Sequence, residues 1–251
     1  MTRLVELAKD IFNDKERKII NFVEDEKHNI FLNNIEKYPH AFVLACLMDK
    51  QMKAERAWSI PCKIYDEFGR FDKDFLSNVE EQTYINLFTK NKYHRFNKIE
   101  AKNFYDAVQM IKNKYNGDAS NIWKDKPSSA TVVYRFLEFN GMGIKIATMA
   151  ANILARQFKI EFSDYYSIDI SPDVHVKRVL KRLGYLNENP TIDQIIYKAR
   201  EINPEFPGLI DYSCWVIGRN YCHETNPNCD KCPLNSECKK IYKIGYMCQQ
   251  F

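Results

Sequence analysis

The chain has 251 residues, 45% hydrophobic and 28% charged, with a formal net charge of +4 at pH 7. That balance is globular and long enough for one large domain or two small ones. It argues against a bilayer-spanning chain, because no apolar run is long enough, and against a secreted one, because Met1-Thr-Arg-Leu-Val-Glu6 lacks the apolar core of a signal peptide. The expected setting is the reduced cytoplasm.

Almost every segment reads as helix. Glu16–Val23 is polar and amphipathic, and Ala41–Leu47 is an apolar helical stretch. Lys53–Phe68 continues in the same period, with Pro61 expected to kink or interrupt it. Glu80–Phe88 and Ile99–Tyr115 follow. In the second of these, Phe104, Ala107, Val108 and Ile111 recur at steps of three and four and mark a buried face. Gly117-Asp118 ends it, and Asp118 or Ser120 suits the next cap. Ser129–Phe136 and Ile144–Arg156 are separated by Gly141-Met-Gly143. Ser171-Pro172-Asp173 reads as a helix start, with Ser171 at the N-cap and Pro172 at the first helical position. Thr191 and Gln194 have capping-box spacing. Leu209–Tyr221 then leads into a cysteine-rich stretch. No alternating strand pair appears, so the fold class is all-α.

Four short features could carry chemistry. Cys222, Cys229, Cys232 and Cys238 are spaced C-x6-C-x2-C-x5-C, whereas Cys46, Cys62, Cys214 and Cys248 are scattered. Thiolates that close in sequence can converge on zinc or on an iron–sulfur cluster. The G-x-G turn of Gly141 and Gly143 frees backbone amides at the start of the next helix, where a phosphate oxygen binds well. Taken alone, the turn is also a plain tight connection. Lys145 lies in that helix's first turn, where the dipole disfavours a cation and partial burial would free its amine as a nucleophile. Its ordinary reading is an exposed lysine lying over apolar surface. Asp173 is either a helix cap or a carboxylate that stabilises a developing cation. His175, on the same helix, suits packing or hydrogen bonding.

In this order the features resemble endonuclease III and, more broadly, the helix-hairpin-helix DNA glycosylase superfamily. The cysteine spacing matches that family's [4Fe–4S] loop, and the resemblance runs from about Pro39 to Cys238. It implies a six-helix barrel domain over 35–157 that ends in the hairpin. It also implies an iron–sulfur cluster domain built from 1–34 and 158–251. Gly141 and Gly143 fall on the hairpin glycines, Lys145 on the Schiff-base lysine and Asp173 on the catalytic aspartate. Gln51 falls on the glutamine that fills the gap left by a flipped nucleotide. Tyr93-His-Arg-Phe-Asn97, with Arg95 at its centre, falls where a wedge enters the duplex, and His175 follows Asp173 on the DNA side. The implied partner is duplex DNA with a damaged base or abasic site, and no protein partner is expected for a monomer.

The implied activity is a bifunctional glycosylase and abasic-site lyase in base excision repair, with an oxidised pyrimidine as substrate. A monofunctional glycosylase, or a non-catalytic DNA-binding or redox-sensing module, would share the scaffold. Adenine glycosylases lack the lysine and place an acid ahead of the glutamine loop. Ala45-Cys-Leu-Met48 has no acid, and their C-terminal recognition domain is not expected here. Cys222 to Cys229 carries no lysine or arginine, so Lys231, Lys239, Lys240 and Lys243 are the candidate replacements for the basic loop of endonuclease III.

Overall fold

A computed structural model describes residues 2–241; Lys243 and Cys248 lie outside them. Among the described residues there are twelve α-helices, one 3-10 helix and no strand. The chain divides into two compact units, 1–15 with 164–251, and 16–163. No helix among the described residues is long and apolar enough to cross a membrane.

The unit of residues 16–163 is built around α3 (Pro39–Met48). All ten of its residues are buried, as expected of a helix that is apolar on every side. Packed on it are α2 (Glu26–Asn33), α4 (Ala54–Phe68), α7 (Asn97–Lys114), α9 (Ile144–Arg156) and the 3-10 helix Ala119–Ile122. Asp118 caps the 3-10 helix through Ser120 N–H at 2.9 Å. Between these elements lie α5 (Lys73–Asn78), α6 (Glu81–Asn91) and α8 (Ser129–Leu137). Phe42 of α3 meets Trp123 and Phe158 edge-on at 6.0 and 5.4 Å. Pro61 does not interrupt α4, which runs through it.

The other unit consists of α1 (Arg3–Asn13), α10 (Val174–Leu183), α11 (Ile192–Ile202) and α12 (Leu209–Asn220). Both α1 and α10 pack on α12. The Thr191–Gln194 capping box is formed in both directions.

Three local expectations are corrected. Residues 16–23 are not helical, because the buried side chains of Asn29 and Asn33 take their backbone groups. Ile20 N–H donates to Asn33 Oδ1 at 2.9 Å, and Val23 N–H donates to Asn29 Oδ1 at 3.0 Å. Both amides return a bond, to Ile20 O and Val23 O. The division between units falls at 15/16 and 163/164 rather than at 34/35 and 157/158. Phe22 stacks on Trp58 at 4.0 Å, Arg17 lies over Phe158, and Ser163 N–H reaches Pro127 O, so both flanking segments are held by the 16–163 unit. Finally, Asp173 rather than Ser171 caps α10, its Oδ1 accepting from Val176 N–H at 2.7 Å. Ser171 N–H is instead drawn to Asp211 Oδ2 at 3.2 Å, which places Ser171 and Pro172 ahead of the helix.

Candidate functional site

The hairpin between α8 and α9 is anchored by Phe139 and Met142, both buried. Gly141 has φ +84°, and a Cβ there would lie 2.4 Å from Lys50 Nζ and 2.7 Å from Asn103 Nδ2. The torsion favours glycine at that position, and a side chain there would have to displace the Lys50 ammonium and the Asn103 amide. Gly143 is different. Its φ of −87° suits any residue, and an added Cβ would meet nothing within 4 Å. It caps α9 without a side-chain bond, so the first-turn amides have no side-chain acceptor. That is an open, positively polarised end suited to an anion. Gly143→Asp is therefore expected to raise stability by a few tenths to about 1 kcal/mol while weakening duplex DNA binding roughly tenfold. Thermal melting and a binding titration check the two signs together.

Lys145 follows in the first turn of α9 and is exposed, so the partial burial considered for it is not present. Its charge is one of those acting on Asp49, the C-cap of α3. Burial raises the Asp49 carboxyl above the usual carboxylate range, and a bond from Trp58 Nε1 at 3.1 Å and the Lys145 charge pull it back.

The loop after α3 is fastened to the hairpin. Lys50 Nζ donates to Gly141 O at 3.0 Å and pairs with the buried Glu100 Oε2 at 2.7 Å. Asn103 Nδ2 donates to the same Glu100 oxygen. His94 is 1% exposed and joins a third segment. Its Nδ1 accepts from Phe96 N–H, so Nε2 carries the hydrogen and donates to Lys50 O at 3.2 Å. Burial lowers the His94 pKa and keeps the ring neutral. Gln51 projects from this frame, exposed, with φ +53°, a left-handed conformation that costs a non-glycine residue roughly 1 kcal/mol. Arg95 is exposed beside it in sequence order of the His94 turn, its guanidinium 5.5 Å from the Phe96 ring centre. Gln51, Arg95, Gly141, Gly143 and Lys145 thus lie in one unit, on segments that the Lys50, Glu100, Asn103 and His94 hydrogen bonds tie together at Gly141 and Lys50.

Asp173, His175 and the four cysteines belong to the other unit. His175 Nδ1 accepts from Arg178 Nη2 at 2.9 Å, and the ring packs against Gly218, where a Cβ would lie 2.6 Å from His175 Cβ. Its visible role is therefore packing and hydrogen bonding. Arg178 also donates to Gly218 O and Cys222 O. Arg182 is buried and donates to Cys222 Sγ at 3.3 Å, His223 O at 2.6 Å and Glu224 O at 2.9 Å. Its own carbonyl accepts from Cys238 Sγ and Ile241 N–H. Both ends of the cysteine loop are tied to one residue of α10. The stem of Lys239 lies over Gly184.

The thiols separate into two classes. Cys46, Cys62 and Cys214 are buried, and burial pushes them up, Cys62 to about 12. Such thiols pack as small apolar groups. Burial also raises Cys232 and Cys238; the backbone at Leu234 and at Lys240 respectively pulls each back down, and after that their fellow thiols raise them: Cys222, Cys238 and Cys229 act on Cys232, and Cys222 and Cys229 act on Cys238. Among the described residues, no group of three or more His, Cys, Asp or Glu side chains is arranged to hold a metal ion. The four sulfurs of Cys222, Cys229, Cys232 and Cys238 act on one another and Arg182 donates to one of them, but they are not drawn together around a metal position; as a soft, four-thiol donor set their chemistry suits an iron–sulfur cluster or zinc.

Asp49, Lys50, His94, Glu100, Asn103 and Arg182 were not legible as site residues. Asp49 follows immediately after the acid-free stretch Ala45–Met48 and gave the one available signal.

No family model matches the chain. It is 27% identical to an adenine DNA glycosylase of Buchnera aphidicola subsp. Baizongia pistaciae over 224 residues, 84% of this chain, and spans about half that relative (55%). It is 21% identical to endonuclease III of Bacillus subtilis over 210 residues, 83% of this chain and 84% of that protein. A solved trapped covalent intermediate of endonuclease III with DNA superposes with a TM-score of 0.57 at 17% identity, covering 96% of this chain and 97% of the other. The chain thus has the all-α fold of the solved endonuclease III structures, and in sequence it is similar to relatives named adenine DNA glycosylase and endonuclease III.

Proposed function

We propose that the chain is a DNA glycosylase of base excision repair that removes a damaged base from duplex DNA and then cuts the abasic site through Lys145. The observation that carries this reading is an exposed primary amine in the first turn of α9, directly after a helix end with no side-chain cap. The open end of α9 holds a backbone phosphate, and Gln51 and Arg95 occupy the duplex beside the lesion. The base leaves the stack, which is least costly when it is damaged. Neutral Lys145 attacks the sugar C1′, the base departs with the glycosidic electron pair, and the resulting Schiff base permits β-elimination. An oxidised pyrimidine is the proposed substrate, on the strength of the resemblance to endonuclease III.

Cys222, Cys229, Cys232 and Cys238 are the residues that would hold a [4Fe–4S] cluster, whose contribution when bound is to cross-link the loop rather than to cleave DNA. Loaded protein is expected to be brown, with broad absorbance at about 400 nm.

A second reading has its own support. The Buchnera relative matches 84% of the chain and is named for adenine, and Asp49 supplies an acid beside the glutamine loop. A set of duplexes, each with one damaged base, scored for base release with and without alkali, separates the two. Strand cutting without alkali and a borohydride-trapped adduct support the lyase. Release of adenine or another base, with cutting only after alkali, supports a monofunctional enzyme.

A further inference from the structure

The loop that follows α3 is held at both ends of one residue. The Lys50 ammonium reaches Gly141 O at 3.0 Å and Glu100 Oε2 at 2.7 Å, and the Lys50 carbonyl accepts from His94 Nε2 at 3.2 Å. Glu100 lies in the first turn of α7, where the helix dipole favours a carboxylate. Its side chain is only 5% exposed, and Asn103 donates at 3.0 Å to the same oxygen that faces Lys50. The hairpin has separate ties to α7. Asn140 Nδ2 donates to Asp106 Oδ2 at 3.3 Å, and Tyr115 Oη donates to Glu138 Oε2 at 3.2 Å. Hairpin and α7 thus stay together without Lys50. What the Lys50–Glu100 pair adds is the register of the next residue, Gln51, against the hairpin.

A largely buried ion pair is a poor source of stability, because desolvation cancels most of the attraction. It is a better source of geometry, since one ammonium has to meet two acceptors at once. Gln51 is exposed and holds φ +53°, a conformation its surroundings must impose. We propose that Glu100 is a positioning residue. Acting through Lys50, it locks the Gln51 loop to the hairpin, so that Gln51 and the phosphate-binding end of α9 meet damaged DNA already spaced. This rests on the DNA glycosylase reading above, but not on its lyase step. Two contacts on one rigid frame require less ordering than two contacts on independent loops. The lock therefore raises affinity only where both contacts are made, at a duplex with a vacated base position. On intact duplex the open end of α9 holds the backbone, and the lock contributes nothing.

The test is the ratio of affinities for a duplex with an uncleavable abasic analogue and for the same duplex undamaged. It is read beside thermal melting in wild type, Lys50→Met, Glu100→Gln and the double variant. Lys50→Met leaves the Glu100 carboxylate buried without its cation and is expected to melt below wild type. The double variant carries neither charge, and its melting is expected to return close to wild type. All three are expected to lose roughly tenfold of the preference for the abasic duplex. In Lys50→Met and the double variant, binding to undamaged duplex is expected to stay within about twofold of wild type.

The double variant separates positioning from stability, because it is expected to recover melting without recovering preference. Since Glu100 acts through Lys50, its loss is expected to be no larger than that of Lys50→Met alone. Preference restored together with melting would make the pair merely structural and overturn the proposal. An unchanged preference in every variant, or losses that add in the double, overturns it too. Should Lys50→Met or the double variant fail to fold, Asn103→Ala takes its place. Asn103 is only partly buried, and its truncation removes the second donor to Glu100. That variant is expected to lose about threefold of the preference at near wild-type melting, and no loss overturns the proposal. A wild type with no preference for the abasic duplex takes down the glycosylase reading and this proposal with it. A wild-type preference that survives the variants sinks the proposal alone.

Discussion

Lys145→Ala is expected to abolish the borohydride-trapped adduct and to slow strand cutting at an abasic site by roughly 10³-fold or more, about 4 kcal/mol of lost transition-state stabilisation. Binding to the same duplex is expected to change far less. Lys145 is exposed, and it stands at the end of a helix dipole that disfavours its charge. Exposed positions of this kind alter stability by about 0.5 kcal/mol or less, so the variant will fold. On the proposed reading cutting and affinity are separable, the amine reacting while the amides of α9 hold phosphate. Retention of the adduct in Lys145→Ala would assign the chemistry to another amine.

Arg182→Leu is expected to cost about 3 kcal/mol of stability, a fall of roughly 6–12 °C in melting temperature, and to reduce the iron bound per chain. Leucine fills part of the buried volume but leaves the carbonyls of His223 and Glu224 without their donor and removes the cation beside Cys222 Sγ. The carbonyl of residue 182 still meets Cys238 and Ile241, so the far end of the loop stays tied. The near end is the part that loosens. Arg182→Lys restores the charge but not the fork, because a single ammonium cannot span three acceptors in the same geometry. Its iron content is expected to fall between wild type and leucine. Equal melting and equal iron across all three proteins would show that the loop holds itself.

Apolar period made α3, α7 and α9 legible, because their burial is written in adjacent residues. The helices α1 and α2 were not, although Thr2 and Asp25 cap them in a recognisable way. Both are short, α1 about evenly mixed and α2 mostly polar, and what holds them is a partner elsewhere in the chain: α12 for α1, and α4 for α2. The same holds for the site. The cysteine spacing and the hairpin glycines are local patterns. Lys50 meets Gly141 from 91 residues away, and Arg182 meets Cys222 from 40. No local period encodes such a pairing. Residues 16–23 failed for the converse reason: an amphipathic pattern was outcompeted by two asparagines that bind the backbone from α2.

The Lys50–Glu100 pair has a consequence for how affinity responds to salt. Each phosphate that a protein neutralises releases condensed counterions, and the number released sets how steeply binding weakens as salt rises. Lys50 sits beside the hairpin yet is already neutralised by a buried carboxylate, so it has no counterion to displace. In the proposed complex Lys50 therefore adds no counterion release of its own, and the salt dependence of binding falls to exposed cations that follow the same loop, such as Lys53 and Arg56.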